Sequence, residues 1–203
     1  MTPALLNRLS QRDVLWLACA LNASMFLAES LAGWWTHSAS LLADSLDMFA
    51  DAALYAVSLY ALGGDRRLKA NAALGHAGLH LLLAAVLLLE VIRCTLSGAL
   101  PKPAVMSTLS VLAMLVNGGC VLLLLRFRNG DINLRASWLC SRNDLLGNLA
   151  VLAAAVLVGI TGSAWPDRLV GLCLAGVMTH SAWQIGREAW TQRRHTPMLP
   201  SMS

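Results

Sequence analysis

The sequence predicts an all-α membrane protein of six transmembrane helices with both termini cytoplasmic, and three observations lead there. Of its 203 residues, 57% are hydrophobic and 13% charged, with a mean hydropathy of +0.62, a balance too apolar for an ordinary soluble domain. The apolar residues gather into six runs, each close to the roughly 20 residues that cross a bilayer. Between the runs, cations concentrate on every second connection, as they do where those connections face the cytoplasm.

The first run covers residues 14–35 and follows a polar segment, 1–13. It is long enough to span, so it reads as a retained helix rather than a cleaved leader. The second, 40–62, is SLLADSLDMFADAALYAVSLYAL and holds three aspartates in its first half. The third to sixth cover 70–92, 105–125, 136–160 and 169–190. Turn residues punctuate the short connections: Gly63-Gly64-Asp65, Pro101-Lys102-Pro103, Asn129-Gly130-Asp131 and Trp165-Pro166-Asp167. No folded soluble domain fits between them. The expected organisation is a cytoplasmic segment 1–13, a six-helix membrane unit 14–190, and a basic, unstructured tail 191–203, TQRRHTPMLPSMS.

With the N-terminus inside, the inner segments hold Arg8, Arg12, Arg66, Arg67, Lys69, Arg126, Arg128, Arg135, Arg187, Arg193 and Arg194. The outer side holds only Arg93, Lys102 and Arg168, with Arg142 inside the fifth run. The pI near 9.0 is then topology-setting charge beside anionic lipid, and no nucleic-acid partner is implied. Cys19, Cys94, Cys120, Cys140 and Cys173 lie in or beside apolar runs without CxxC spacing. No disulfide framework is expected, and most of them read as small buried apolar residues.

An ionised side chain at a span's centre costs about 2.5–3.5 kcal/mol on insertion scales, so acids there need a reason. Glu29, Asp44, Asp47, Asp51, Glu90 and Asp144 occur within the runs, with Arg93 and Arg142 near them. Asp44, Asp47 and Asp51 stand at i, i+3 and i+7, on one helix face, where they repel one another unless protons or a cation intervene. Cys140 and Asp144, at i and i+4, share a face of the fifth run, while Arg142 points elsewhere. Two such helices facing each other offer four ligands, Asp47, Asp51, Cys140 and Asp144. Thiolate and carboxylate at tetrahedral reach suit zinc better than magnesium or calcium. Spacing alone leaves two other readings open: a proton relay, or acids hydrogen-bonded to Ser45, Asn143 and Asn148.

These residues resemble those of the cation diffusion facilitators, proton-coupled exporters of divalent metals. That family's second helix has an ALLAD-type lead-in and then His or Asp, three residues, and Asp. Here the pattern falls on Asp47 and Asp51, with Asp44 in the lead-in. LNASMFLAESLAGWW, with Asn22, Glu29 and Gly33, is similar to the first helix, and LEVIR, with Glu90 and Arg93, to the end of the third. INLRASWLCSRNDLLGNLAVLAAAVL is similar to the fifth helix and AWPDRLVGLCLAGVMTHSAWQIGREAW to the sixth, so the resemblance runs from about 14 to 190.

Three features depart from the family pattern. Cys140 stands where the fifth helix usually has His, which reads either as a site retuned toward thiophilic ions or as a weakened one. The loop GGDRRLKANAAL has Asn71 in place of an acid and no histidine, so the accessory loop metal site is expected to be missing. No C-terminal metallochaperone-like domain is expected after the sixth run, so the chain reads as a short form. His76 and His80 share a face at the start of the third run; they are expected either to pass metal or protons or, more simply, to be satisfied by hydrogen bonds. Asp44 has two readings, in release or proton entry, or in a helix-start hydrogen bond with Ser40 or Ser45.

The resemblance implies a multi-pass protein of the inner (cytoplasmic) membrane. It exchanges protons for a divalent ion, zinc before cadmium or cobalt, exported by alternating access, with no prosthetic cofactor and no catalytic residue. It also implies a homodimer in contact along the third helix, where Gly75 and Gly78 permit close packing. One rival is a non-transporting partner subunit of the same family. Another, a membrane-embedded metal hydrolase, lacks any catalytic set beyond the four ligands.

Overall fold

In the computed structural model, which describes residues 10–60, 66–127 and 132–194, the chain forms six long α-helices, with no strand among the described residues. They are α1 (Gln11–Thr36), α2 (Ala39–Tyr60), α3 (Arg66–Ser97), α4 (Pro103–Leu124), α5 (Ile132–Thr161) and α6 (Trp165–Arg194), with a 3-10 turn at Leu125–Phe127. The segments 1–9, 61–65, 128–131 and 195–203 lie outside the described residues, and with them most of the N-terminal segment, the Gly63-Gly64-Asp65 and Asn129-Gly130-Asp131 turns and the tail.

Five of the six helices are long and apolar enough to cross a membrane by composition. The exception is α2, whose Asp44, Asp47 and Asp51 break the apolar run. It is nonetheless the most enclosed helix, packing against α1, α3, α5 and α6. The others turn large apolar side chains outward, among them Leu31, Leu82, Leu89, Leu115, Leu146 and Ile160. Outward-facing leucines cost nothing in hydrocarbon, so three of the carboxylates gather on the most enclosed helix.

Local signals set the helix ends. Ser10 and Asp13 form a capping box at the start of α1, each side chain accepting from the other's backbone N–H. Pro103 opens α4, where its missing N–H has no partner to lose. The start of α2 is closed differently. Ser38 Oγ accepts from Leu41 N, while the buried carboxylate of Asp167, from the first turn of α6, accepts from Ser38 Oγ, Ser40 Oγ and the backbone N–H groups of Ala39 and Ser40. Close approach makes this possible: a Cβ at Gly171 would lie 3.1 Å from the backbone and side chain of Ala39.

The contacts show six alternating passes. At the far end, Arg93 at the end of α3 reaches His37 behind α1, and Arg168 at the start of α6 donates to the Cys94 carbonyl of α3. Arg93, Lys102 and Arg168 there stack over Trp34, Trp35 and Trp165, at 4.0, 3.8 and 5.7 Å from the ring centroids. All three outer cations of the sequence reading thus sit at one end beside tryptophans, the arrangement of a membrane interface. At the other end, which holds both termini of the bundle, Val14, Leu15 and Ala18 of α1 pack with Tyr55 of α2 and Leu123 and Leu124 of α4.

Candidate functional site

The carboxylates of α2 point into the bundle at three levels. Asp44 and Asp51 are buried, while Asp47 is half-buried. Across from them α5 presents Cys140 and Asp144, both half-buried, one helical turn apart. The Asp144 carboxyl lies within hydrogen-bonding reach of Asp47 and Asp51, and the Cys140 thiol within reach of Asp51. Tyr55 donates to Asp51 at 3.1 Å and meets Ser141 Oγ, so one carboxylate of the group is also held by a phenol from its own helix. Arg142, two positions from either α5 residue, is exposed and stacks over Trp138 at 5.5 Å, away from the acids.

Asp47, Asp51, Cys140 and Asp144 are therefore brought together, but not as an open cage. Among the described residues no three His, Cys, Asp or Glu side chains are already arranged to hold a metal ion. A hydrogen bond between two carboxyl groups needs a proton on one of them. A cation that binds these groups displaces that proton.

Asp44 belongs to a different network. Asn148 of α5 donates to both its oxygens, at 2.7 and 2.8 Å, and Asn117 of α4 donates to Asn148 Oδ1 at 3.1 Å. The expected helix-start bond to Ser40 or Ser45 is not made: Ser40 is bound to Asp167, and Ser45 donates to the Leu42 carbonyl and accepts from Ser30. Of the three candidate partners read from the sequence, only Asn148 bonds an acid in this way. Glu29 of α1 is fully buried beside Asp44, yet neither of its oxygens has a hydrogen bond of ordinary geometry.

His76 and His80 correct a second expectation. Both are 4% exposed, and none of their four ring nitrogens has a hydrogen-bond partner. The Met178 carbonyl lies near His80 without hydrogen-bond geometry. His80 faces Asp47 closely enough to feel its charge. The cysteines differ as well. All are free, as expected, but only Cys94 and Cys120 are buried, and Cys173 is exposed. Asp167, read in the sequence as part of a turn, is the residue whose role the sequence reading missed; the Ser-Ala-Ser lead into α2 was its one visible sign.

Comparison with known proteins bears on the whole bundle. A model of the cation efflux transmembrane domain matches residues 15–192. The chain belongs to the cation efflux family. It is 26% identical over 187 residues to the zinc transporter ZitB of Yersinia pestis, covering 86% of this chain and 60% of that protein. It is 25% identical over 179 residues to the metal cation efflux system protein CzcD of Cupriavidus metallidurans, covering 82% and 57%. It is also 22% identical over 199 residues to the cadmium, cobalt and zinc/H(+)-K(+) antiporter of Bacillus subtilis, covering 90% and 63%. The chain thus spans about three fifths of the length of the curated relatives it matches.

Proposed function

We propose that this protein is a proton-coupled antiporter that moves a divalent transition metal, zinc in the first place, out of the cytoplasm across the inner membrane. The observation that supports it most is the meeting of Asp47, Asp51 and Asp144 with the Cys140 thiol between α2 and α5, in a bundle otherwise clad in apolar side chains. In this reading the four groups bind the ion in their deprotonated state. Protons returning from the far side restore the hydrogen-bonded arrangement and expel it, because each bound proton removes a ligand. Cadmium and cobalt are compatible with the same donors. The names of two of the relatives agree with zinc as cargo, and one of these also names exchange with protons.

The protein in this reading works as a homodimer. Gly75 and Gly78 of α3 have open space over them, which suits the close approach of a second copy. The test is zinc uptake by proteoliposomes under an imposed pH gradient. Asp51→Ala and Asp144→Ala are expected to abolish uptake while leaving insertion intact, and two variants that transport at the normal rate would sink the assignment. A second reading, a non-transporting partner subunit, is left open by Cys140, which stands where the fifth helix usually has histidine. Purified protein that neither binds nor moves zinc, cadmium or cobalt would establish it.

A further inference from the structure

We propose that His76 and His80 form, with Asp47, a second cation-binding station beside the cage and level with it, which exchanges a zinc-like ion with Asp51 and Asp144; this rests on the transport reading above. The two histidines stand at i and i+4 on α3, the spacing with which two imidazoles on one helix face bind a single zinc ion. Their rings meet edge to face with centroids 4.4 Å apart. Each is 4% exposed, and all four nitrogens lack hydrogen-bond partners. A buried imidazole without a partner loses the hydration of its nitrogens for no return, and two side by side double the cost. A ligand that takes up one nitrogen from each removes that penalty.

The position of the pair identifies the ligand class. At about 1.5 Å per residue, Asp51 and His76 lie roughly 15 Å from the termini-side ends of their helices, and Asp47 and His80 roughly 20 Å. His80 is the charge neighbour of Asp47. Two neutral imidazole nitrogens and one carboxylate make a donor set for zinc, cobalt or cadmium and a poor one for magnesium or calcium. Asp47 links the two groups, because it is near enough to His80 to feel its charge and within hydrogen-bonding reach of Asp144. An ion held by the histidines reaches the cage by exchanging imidazole for carboxylate while Asp47 stays bound.

The test uses the full chain in detergent with Zn2+ as the probe. A cage-disabled protein, Asp51→Asn/Asp144→Asn, is expected to retain one zinc ion per chain, and adding His76→Leu/His80→Leu to it is expected to remove that ion. Zinc binding by the cage-disabled protein that is absent, or unchanged when the histidines are replaced, overturns the station. The cage itself is judged separately, by whether the Asp51→Asn/Asp144→Asn protein still transports. His76→Leu/His80→Leu alone is expected to unfold at the same or a higher temperature than the wild type, since unpartnered polar groups are exchanged for apolar ones. A lower unfolding temperature assigns the histidines a structural role and overturns the proposal as well.

Discussion

Asp167 shows how much one carboxylate can hold at the far end of the bundle. It accepts four hydrogen bonds from Ser38 and the first turn of α2, two of them from backbone N–H groups that have no partner within the helix. Asp167→Ala strands those donors in a buried place, and about 3 kcal/mol or more of stability is expected to be lost. Thermal unfolding in detergent measures it, with Asp167→Asn expected to fall in between. At Cys140 the expected change is one of selectivity. Cys140→His replaces a thiolate by an imidazole one turn from Asp144, so transport should persist while the preference among zinc, cadmium and cobalt shifts. Competition uptake with the three ions checks this, and an unchanged preference would remove Cys140 from the ligand set.

Among the elements, α2 is the one whose surroundings decide its character. Alone it is too charged to rank with the other five as a span, yet α1, α3, α5 and α6 enclose it. That enclosure depends on small residues at the crossings. A Cβ at Gly33 would come within 2.8 Å of the Leu42 side chain and 3.1 Å of its backbone nitrogen, and Gly171 is as tightly placed against Ala39. Gly171→Val is expected to push α6 off the start of α2, with about 1–3 kcal/mol of overpacking cost added to weakened Asp167 bonds. A lowered unfolding temperature reads the first effect, and loss of additivity with Asp167→Ala reads the coupling. The i, i+3, i+7 stripe of Asp44, Asp47 and Asp51 was legible in the sequence, because helical spacing alone puts them on one face. Its division was not. Asp44 turns to Asn148 while Asp47 and Asp51 turn to Asp144, a partition set by which residues of α5 lie at each level.

For the molecule as a whole, the proposed exchange of protons for metal has a consequence that needs no mutation. Zinc affinity should weaken as pH falls, about tenfold per pH unit for each proton displaced per ion. Zinc titrations at pH 6.0 and 7.5 measure the slope, and a flat profile would separate metal binding from proton release. Much of the molecule at this scale follows from the sequence by itself. Six apolar runs of bilayer length, and cations gathered on alternate connections, dictate six helices in antiparallel succession, because each follows from how a short stretch of chain partitions between hydrocarbon and water. The acids that cannot be left in lipid are equally plain. Tertiary structure alone decided their partners: that Asp167 closes the start of α2, that Asn148 binds Asp44, and that His76 and His80 are buried with nothing to bond. The physical reason is range. Partitioning and helical periodicity act within a run, whereas a hydrogen bond between Ser40 and Asp167 joins residues 127 positions apart, and only packed helices can bring them together.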